Sequence, residues 1–487
     1  MSKFLILIIL LLSFSLSIKA ESNNSAVLKL EDILSGIDYY HPSLKSTELK
    51  RQEAKAQLMG SQSNFIPRLG NRFAPETYLN EKSKRKNAFS NYGELTWQSP
   101  YAFELFGGMR ATNRDLLPSD TFTYPGNKGY LTTVKSSKLG DYTGSELLLG
   151  MRLPLLKNLL IDEFRSDLQK AKIELSAVEL DILQKRAELF LKASEKYWDW
   201  VGAGLKYAIA ENLLDIAVLR TGGMAERVKA GANPPIDLIE AESQIASREE
   251  NLAKVRRDFE KESINLSLYL WESENNFKKP ERDNLPEKIT EPSLIDKDLQ
   301  EKHLSISLAR RPEILRLNFE KQQEKVNLKL AKNNLLPKID LEIMPGQNLN
   351  DIEEGPNFMG SINVDIPLYP LKARSEILKA QTKLQKLDLN SSERIGQIKT
   401  EIDNALSYLE TSHQRVLKAR ETLEKLKALE NGEQIRFQYG NSNLFLLNAR
   451  ESSATDSENK LIEALADHQK ALANYNYAIG KWSIPDF

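Results

Sequence analysis

Groups that could make or break bonds are sparse in this chain. Its four histidines, His41, His303, His413 and His468, are scattered along 487 residues, and cysteine is absent. That composition removes disulfides, thiolate metal sites and cysteine nucleophiles, together with any lipid anchor on an N-terminal cysteine. No Walker-type phosphate loop, HExxH pair or glycine-rich dinucleotide loop occurs. Acids are plentiful, but 68 Asp and Glu are interleaved with 67 Lys and Arg on helical faces, the pattern of solvated charge rather than of a tuned carboxylate pair. A formal net charge of −1 leaves no basic field for nucleic acid. Neither an enzyme nor a metal or cofactor site is expected.

The spacings that do stand out belong to two phrases, Gly223-x3-Arg227-x3-Gly231 and Gly432-x3-Arg436-x3-Gly440. Each stands where a long helical pattern must stop and reverse. A left-handed residue is least costly there for glycine, at Gly231 and Gly440. Pro234-Pro235 starts the helix after the first turn, with Asn233 expected as its cap.

These phrases are part of a duplication covering nearly the whole chain. His41-Pro42 opens a helical stretch that closes on Ile66-Pro67, and Arg311-Pro312 opens another that closes on Leu336-Pro337, the prolines standing 25 residues apart in both. Leu153-Pro154-Leu155 and Ile366-Pro367-Leu368 then match, as do Ala241 with Ala449 and Trp271 with Trp482. The first copy spans 21–274: helix 28–66, a strand region 68–154, a long helix 155–230, a turn 231–235 and a helix 235–273. The proline-marked stretch 275–307 connects the copies. The second spans 308–487: helix 312–336, strands 338–346 and 359–368, a long helix 371–439, a turn 440–443 and a helix 444–480.

The strands alternate cleanly. Ile339, Leu341 and Ile343 oppose Lys338, Asp340 and Glu342; Ile362, Val364 and Ile366 oppose Ser361, Asn363 and Asp365; Leu147, Leu149, Met151 and Leu153 oppose Glu146 and Arg152. Tyr101–Met109 alternates in the same way, Phe106 excepted. An ordinary half-buried sheet would show this pattern. So would a membrane barrel with lipid outside and water within, its lumen lined by Glu146, Arg152, Lys338, Asp340, Glu342, Asn363 and Asp365. The strand region of the first copy is longer than that of the second. Its surplus, with Phe73, Tyr78, Tyr92, Trp97, Phe122, Tyr124, Tyr130 and the basic run Lys82–Lys86, fits either long loops or extra strands.

Two stretches of over sixty residues show only helical period, on the order of 100 Å each at about 1.5 Å per residue. A 3,4 spacing runs through Ile395, Ile398, Ile402, Ala405, Leu409, Ser412, Val416, Ala419, Leu423 and Leu426. The earlier helix has two rows, one through Leu168, Ala171, Leu175, Val178 and Ile182. The other runs through Ile173, Ser176, Leu180, Leu183, Ala187, Phe190, Ser194, Tyr197 and Val201. A period of 3.5 means knobs-into-holes packing. Two rows suit a stave touching a neighbour on each side of a hollow tube; a bundle or two-stranded rod is the competing arrangement.

At the N-terminus, Lys3 precedes an apolar run from Phe4 to Ile18 and then Lys19-Ala20, which reads as a cleaved secretory signal over 1–20, with an uncleaved anchor as the alternative. Beyond it no long apolar run appears, so a mature chain that crosses a membrane must do so as a closed barrel of strands.

Together these residues resemble the TolC-like family of outer-membrane efflux and secretion channels, from Leu28 to Trp482. The carriers are Arg311-Pro312-Glu313, the phrases around Pro154, Pro337 and Pro367, Tyr197-Trp198 and the two turns. The resemblance implies a mainly α fold of two repeats, a homotrimer, and four strands from each protomer in a shared 12-stranded barrel. It also implies long coiled-coil staves in an α-barrel reaching into the periplasm, and an outer-membrane location in a Gram-negative-type bacterium. A periplasmic adaptor and an inner-membrane transporter are the implied partners. In the family the turns form a periplasmic mouth that partners open. Here that mouth maps to Arg227, Gly231, Asn233, Pro234 and Asp237 at the first turn. At the second it maps to Arg436, Gly440, Asn441, Ser442, Asn443, Leu444, Phe445 and Asn448. The family's acidic ring and its base are missing from the second turn. Asp237 is therefore expected to bond Arg436 or Arg450, or else Leu444, Phe445 and Leu446 to close the mouth by packing. A periplasmic coiled-coil scaffold without a barrel remains the rival reading.

Overall fold

A computed structural model describes residues 27–79, 85–112, 121–125, 131–135, 144–273, 276–292, 300–349 and 355–481. The expected signal, Tyr130, Lys82–Lys84 and Trp482 lie outside the described residues. The chain is mainly helical with a small antiparallel sheet. Its helices are α1 (Leu30–Tyr40), α2 (Pro42–Gln62), α3 (Glu163–Lys229), α4 (Pro235–Ser267), α5 (Gln300–Arg310), α6 (Pro312–Asn333), α7 (Leu371–Gln438) and α8 (Leu444–Ala478). The strands are β1 (Arg68–Leu79), β2 (Arg85–Gln98), β3 (Glu104–Thr112), β4 (Thr121–Pro125), β5 (Leu131–Lys135), β6 (Gly144–Pro154), β7 (Trp271–Ser273), β8 (Asn276–Phe277), β9 (Lys338–Asn348) and β10 (Asn357–Asp365).

Proline sets the same joint in both copies. A residue before proline is pushed out of the α region, and proline itself suits the first helical position. His41 (φ −66°, ψ 119°) thus divides α1 from α2, and Arg311 (φ −67°, ψ 123°) divides α5 from α6. The helix expected over 28–66 is therefore two helices, and the connection 275–307 ends in one.

The sheet has six strands in the order β1-β2-β3-β6-β9-β10, all neighbours antiparallel, against the four that the resemblance implies, so the surplus region forms extra strands rather than loops alone. The surplus residues of the first copy supply the difference. β2 and β3 are joined by a tight reversal in which the Ser99 amide donates to the Phe103 carbonyl at 2.9 Å, with Ala102 at φ 79°. The Trp97 indole donates to the Phe65 carbonyl at 2.9 Å, tying β2 to the residues that lead into β1. β4 and β5 form a separate hairpin.

α3 begins at Glu163, not at 155, because the chain after Pro154 still runs along the sheet. The Leu155 amide donates to the Ile339 carbonyl at 2.7 Å and the Asn158 amide to Asn333 Oδ1 at 3.0 Å. Asp162 then caps α3, its Oδ1 accepting from the Arg165 amide at 2.8 Å.

The chain divides into two compact units that cut across the repeats. One holds residues up to 45, 185–307 and from 399 onward; the other holds 46–184 and 308–398. In the first unit the expected rows form the core: Ala187, Phe190, Ser194, Tyr197 and Val201 of α3 are buried, as are Ile402, Ala405, Leu409, Ser412 and Val416 of α7. The connection packs there too, with Arg282 paired to Glu211, and Gln469 donating to the Thr290 carbonyl at 2.9 Å. In the second unit Arg51 grips Glu179 through two bonds of 2.6 and 2.7 Å, and Arg316 reaches Glu174 at 2.8 Å.

Because Ile402 is 1% exposed, Ile402→Ala should lower stability by about 2–5 kcal/mol through a lost core side chain and the cavity left behind. Urea denaturation followed by far-UV circular dichroism would measure it. A midpoint unchanged from wild type would contradict the assigned core.

Candidate functional site

The sheet has two chemically opposite faces, fixed by register. Across β1 to β10 one face carries Leu69 and Phe73, then Phe89 and Leu95, Leu105 and Met109, Leu147 and Leu149, Ile339 and Leu341, and Phe358, Ile362 and Val364. Many of these are open to the surroundings, among them Leu69 at 84% and Ile362 at 65% exposure. An apolar face of that extent, carried across six strands, is a surface built to meet something apolar.

The other face is polar and bonded within itself. Arg152 of β6 lies between two acids from neighbouring strands, donating to Glu104 Oε2 at 2.8 Å through Nη1 and to Glu342 Oε1 at 2.5 Å through Nη2. Asn363 donates to Glu342 Oε2 at 2.9 Å, and Lys338 pairs with Asp340 at 3.3 Å. Arg152 also stands over the Phe106 ring, 5.7 Å from its centre. Phe106 breaks the alternation because Gly150 opposes it: a Cβ at 150 would lie 2.3 Å from the ring. Of the residues expected to line water, Arg152, Glu342 and Asn363 thus join in one network, and Lys338 and Asp340 pair on the same face. Asp365 lies on the same face at the end of β10, and register puts Glu146 there as well, opposite Arg110.

In the other unit the two turns are built alike. Gly231 (φ 73°) and Gly440 (φ 74°) adopt the left-handed conformation. The amides of Gly231 and Ala232 return to the carbonyls of Val228 and Arg227, while those of Gly440 and Asn441 return to Phe437 and Arg436. This double closure explains the shared Arg-x3-Gly spacing: each arginine holds the position whose carbonyl takes the last bond, and its cation suits the negative helix end. After both turns a helix restarts four residues past the glycine, at Pro235 and at Leu444.

The polar groups differ from expectation. Asn233 is not the cap of α4; Pro234 holds that position, and Asn233 Nδ2 donates to Asp237 Oδ2 at 2.7 Å. Asp237 is thus held within its own turn, and Arg436 bonds the Asn441 carbonyl and lies 3.5 Å from Glu433. Ser442 donates to Glu433 at 2.5 Å. Asn443 is a true cap, its Oδ1 accepting from the Leu446 amide at 2.9 Å. Leu444 is buried with Met224 and Ala241, packed by Val228 and Phe437, whereas Phe445 is exposed.

No protein-family profile matches the chain, and no curated protein matches it in sequence. Solved structures do match over nearly its whole length. The CmeC outer-membrane channel of Campylobacter jejuni is 14% identical over 93% of this chain and 85% of its own, at a TM-score of 0.62. The outer-membrane protein VceC of Vibrio cholerae is 13% identical over 93% and 96%, also at 0.62. The MtrE outer-membrane channel of Neisseria gonorrhoeae, in its open state, is 14% identical over 93% and 88%, at 0.61. The chain has the TolC-like channel fold.

Within this TolC-like fold, the strongest polar cluster near the turns was not visible in the sequence. Glu451 of α8, 6% exposed, accepts two bonds from Arg220 of α3, at 3.0 and 3.1 Å, and one from Arg248 of α4. Asn448, expected at the second turn, joins it through a 3.0 Å bond from Arg220, and Arg248 also reaches the Leu213 carbonyl at 2.5 Å. Burial works to raise the Glu451 carboxyl, but the hydrogen bonds and charges of Arg220 and Arg248 outweigh it and hold it below its ordinary value. The clamp ties one helix pair of the first copy to a helix of the second. Only the residues' helical phase, Arg220 with Met224 and Asn448 with Glu451, hinted at it.

A carboxyl held low contributes stability above its unfolded value near 4.5 and loses it as the pH falls through the folded value. Acid below about pH 4 should therefore loosen the three helices, with pH-jump hydrogen exchange at α8 as the readout. Glu451→Gln should have the same effect at neutral pH, costing on the order of 3 kcal/mol because two half-buried guanidinium groups lose their anion. At the turn, Gly440→Val should cost about 1–2 kcal/mol from the left-handed backbone alone, and Gly440→Asn less. Nothing lies within 4 Å of the added Cβ, so equal melting temperatures for the two variants would contradict this.

Proposed function

We propose that the chain is the exit duct of an efflux or secretion assembly: a homotrimeric outer-membrane channel, extended into the periplasm, that works with a periplasmic adaptor and an inner-membrane transporter. The observation carrying this reading is the sheet's exposed apolar face opposite a closed polar network. In lipid only a structure that satisfies every backbone group can span, and among the described residues no helix is long and apolar enough to do so. The apolar face would meet outer-membrane lipid, and Arg152, Lys338, Asp340, Glu342, Asn363, Asp365 and Glu146 would line the water path. Such a chain does no bond-making of its own; it supplies a wetted conduit, and the transporter supplies energy and chooses cargo. A periplasmic scaffold without a barrel would leave that apolar face exposed to water.

The residues Arg227, Gly231, Asn233, Pro234, Asp237, Arg436, Gly440, Asn441, Ser442, Asn443, Leu444, Phe445 and Asn448 form the periplasmic mouth and the adaptor's contact surface in this reading. The fold likeness to channels such as CmeC and MtrE supports it, as does the double closure of both turns. The mouth is a polar and apolar constriction: Asp237 is held by Asn233, and Glu451 is neutralised by two arginines.

Two outcomes follow. Membrane fractionation should place the protein in the outer membrane, and unheated gel samples should run as a trimer that collapses to monomers on boiling. A soluble monomer or dimer after detergent-free lysis would favour the scaffold. In planar bilayers, micromolar trivalent cations should leave most of the conductance, whereas strong block would mean a ring of unpaired carboxylates at the mouth.

A further inference from the structure

The six-stranded sheet has two open edges: among the described residues no strand pairs with the outer side of β1 or of β10. Neither edge can face lipid. We infer that β10 of one copy pairs with β1 of the next in a single register, Asp365 opposite Arg68, and that three copies so joined close an 18-stranded barrel in which β2 and β3 are wall strands. The inference rests on the membrane-channel reading above and adds the occupant of each edge, the register and the strand number.

Three features of the edges point to this pairing. β1 runs away from α2 and β10 runs back toward α7, so an antiparallel contact between copies is the natural one. The charges match: Arg68 and Arg72 lie on the polar face of β1, and Asp365 lies on the polar face of β10. The shapes match as well. With Asp365 opposite Arg68, Phe73 of β1, exposed by 64%, falls opposite Gly360 of β10, where an added Cβ would meet nothing within 4 Å. An aromatic ring laid over a strand glycine is a favourable cross-strand pair.

The geometry of closure selects the same register. Following the pairings across the sheet from Arg68 leads through Thr96, Phe106, Gly150 and Met344 to Met359. Asp365 lies six residues further along β10, so setting it opposite Arg68 staggers the sheet by six residues over six strands. One residue of about 3.3 Å per strand spacing of about 4.8 Å is a tilt of about 35°, at the edge of the usual 35–45° for closed barrels. A one-residue slip would put the charges on opposite faces. Slipping two residues one way lowers the tilt to about 25°, outside that range. The other way sets Arg68 against Pro367, which lies beyond the end of β10 and lacks an N–H. At about 35°, eighteen strands enclose a backbone diameter of about 33 Å, against about 22 Å for twelve.

The absence of cysteine makes the test direct. Gly70→Cys with Asn363→Cys places thiols opposite one another across the inferred contact. Oxidation in intact outer membranes should give covalent dimers and trimers, several-fold more than the shifted pair Gly70→Cys with Ser361→Cys. Separately, a fluorophore on Leu95→Cys or Met109→Cys should be quenched by nitroxide-labelled lipid, while one on Thr96→Cys should not. Trimers in the outer membrane that cross-link better through the shifted pair would overturn the register. Trimers with Leu95 and Met109 unquenched would put β2 and β3 outside the wall and overturn the 18-stranded count. Both of those results leave the channel reading intact. Failure to find the chain in the outer membrane would remove that reading and this inference with it.

Discussion

Arg152 stands where the two copies of the repeat meet. It belongs to β6, the last strand of the first copy, and its guanidinium is shared between Glu104 of the same copy and Glu342 of β9, the first strand of the second. A planar donor fork held by acids on both flanks resists a slip of either neighbour, because a one-residue shift would carry an acid to the opposite face. The register of β6 on β9 in turn sets the Leu155–Asn158 segment along the start of β9. That segment determines where Asp162 can cap α3. One buried charge contact thus propagates into the starting point of a 67-residue helix.

Duplication explains why similar local devices recur with different chemistry. The X-Pro joints at His41 and Arg311, and the glycine closures at Gly231 and Gly440, are backbone solutions, and backbone geometry repeats when the sequence does. Side-chain solutions have diverged. Asn443 caps its helix directly, whereas Asn233 holds Asp237 and leaves the capping position to Pro234. The clamp at Glu451 is not repeated: with Ala241 matched to Ala449, the position corresponding to Glu451 is Ser243, which carries no charge.

The regular apolar rows of helices and strands meet different surroundings. In the helical unit the heptad rows are buried within one chain, and their small members, Ala187, Ser194, Ala405 and Ser412, let helices approach closely. In the sheet the alternation is equally regular, but its apolar side is left open while the polar side is bonded around Arg152 and Glu342. The same period-2 pattern that gives a half-buried sheet in water here runs inside out.

Periodicity and punctuation in the sequence were enough for the long helical stretches and the reversal points, because these depend on neighbours three, four or a few residues away, but not for the break at His41, the start of α3 at Glu163 or the helix α5. Pro42, Pro312, Gly231 and Gly440 each constrain their own backbone wherever the chain goes. The alternation of β6, β9 and β10 was legible for the same reason. Strand number was not: whether the residues between Pro67 and Pro154 loop or pair depends on partners supplied by distant segments, and only the registers of β2 on β1 and on β3 decided it. The Arg220–Glu451–Arg248 clamp also needed the tertiary structure, since its members are 231 and 203 residues apart and each looks, along its own helix, like one more solvated charge.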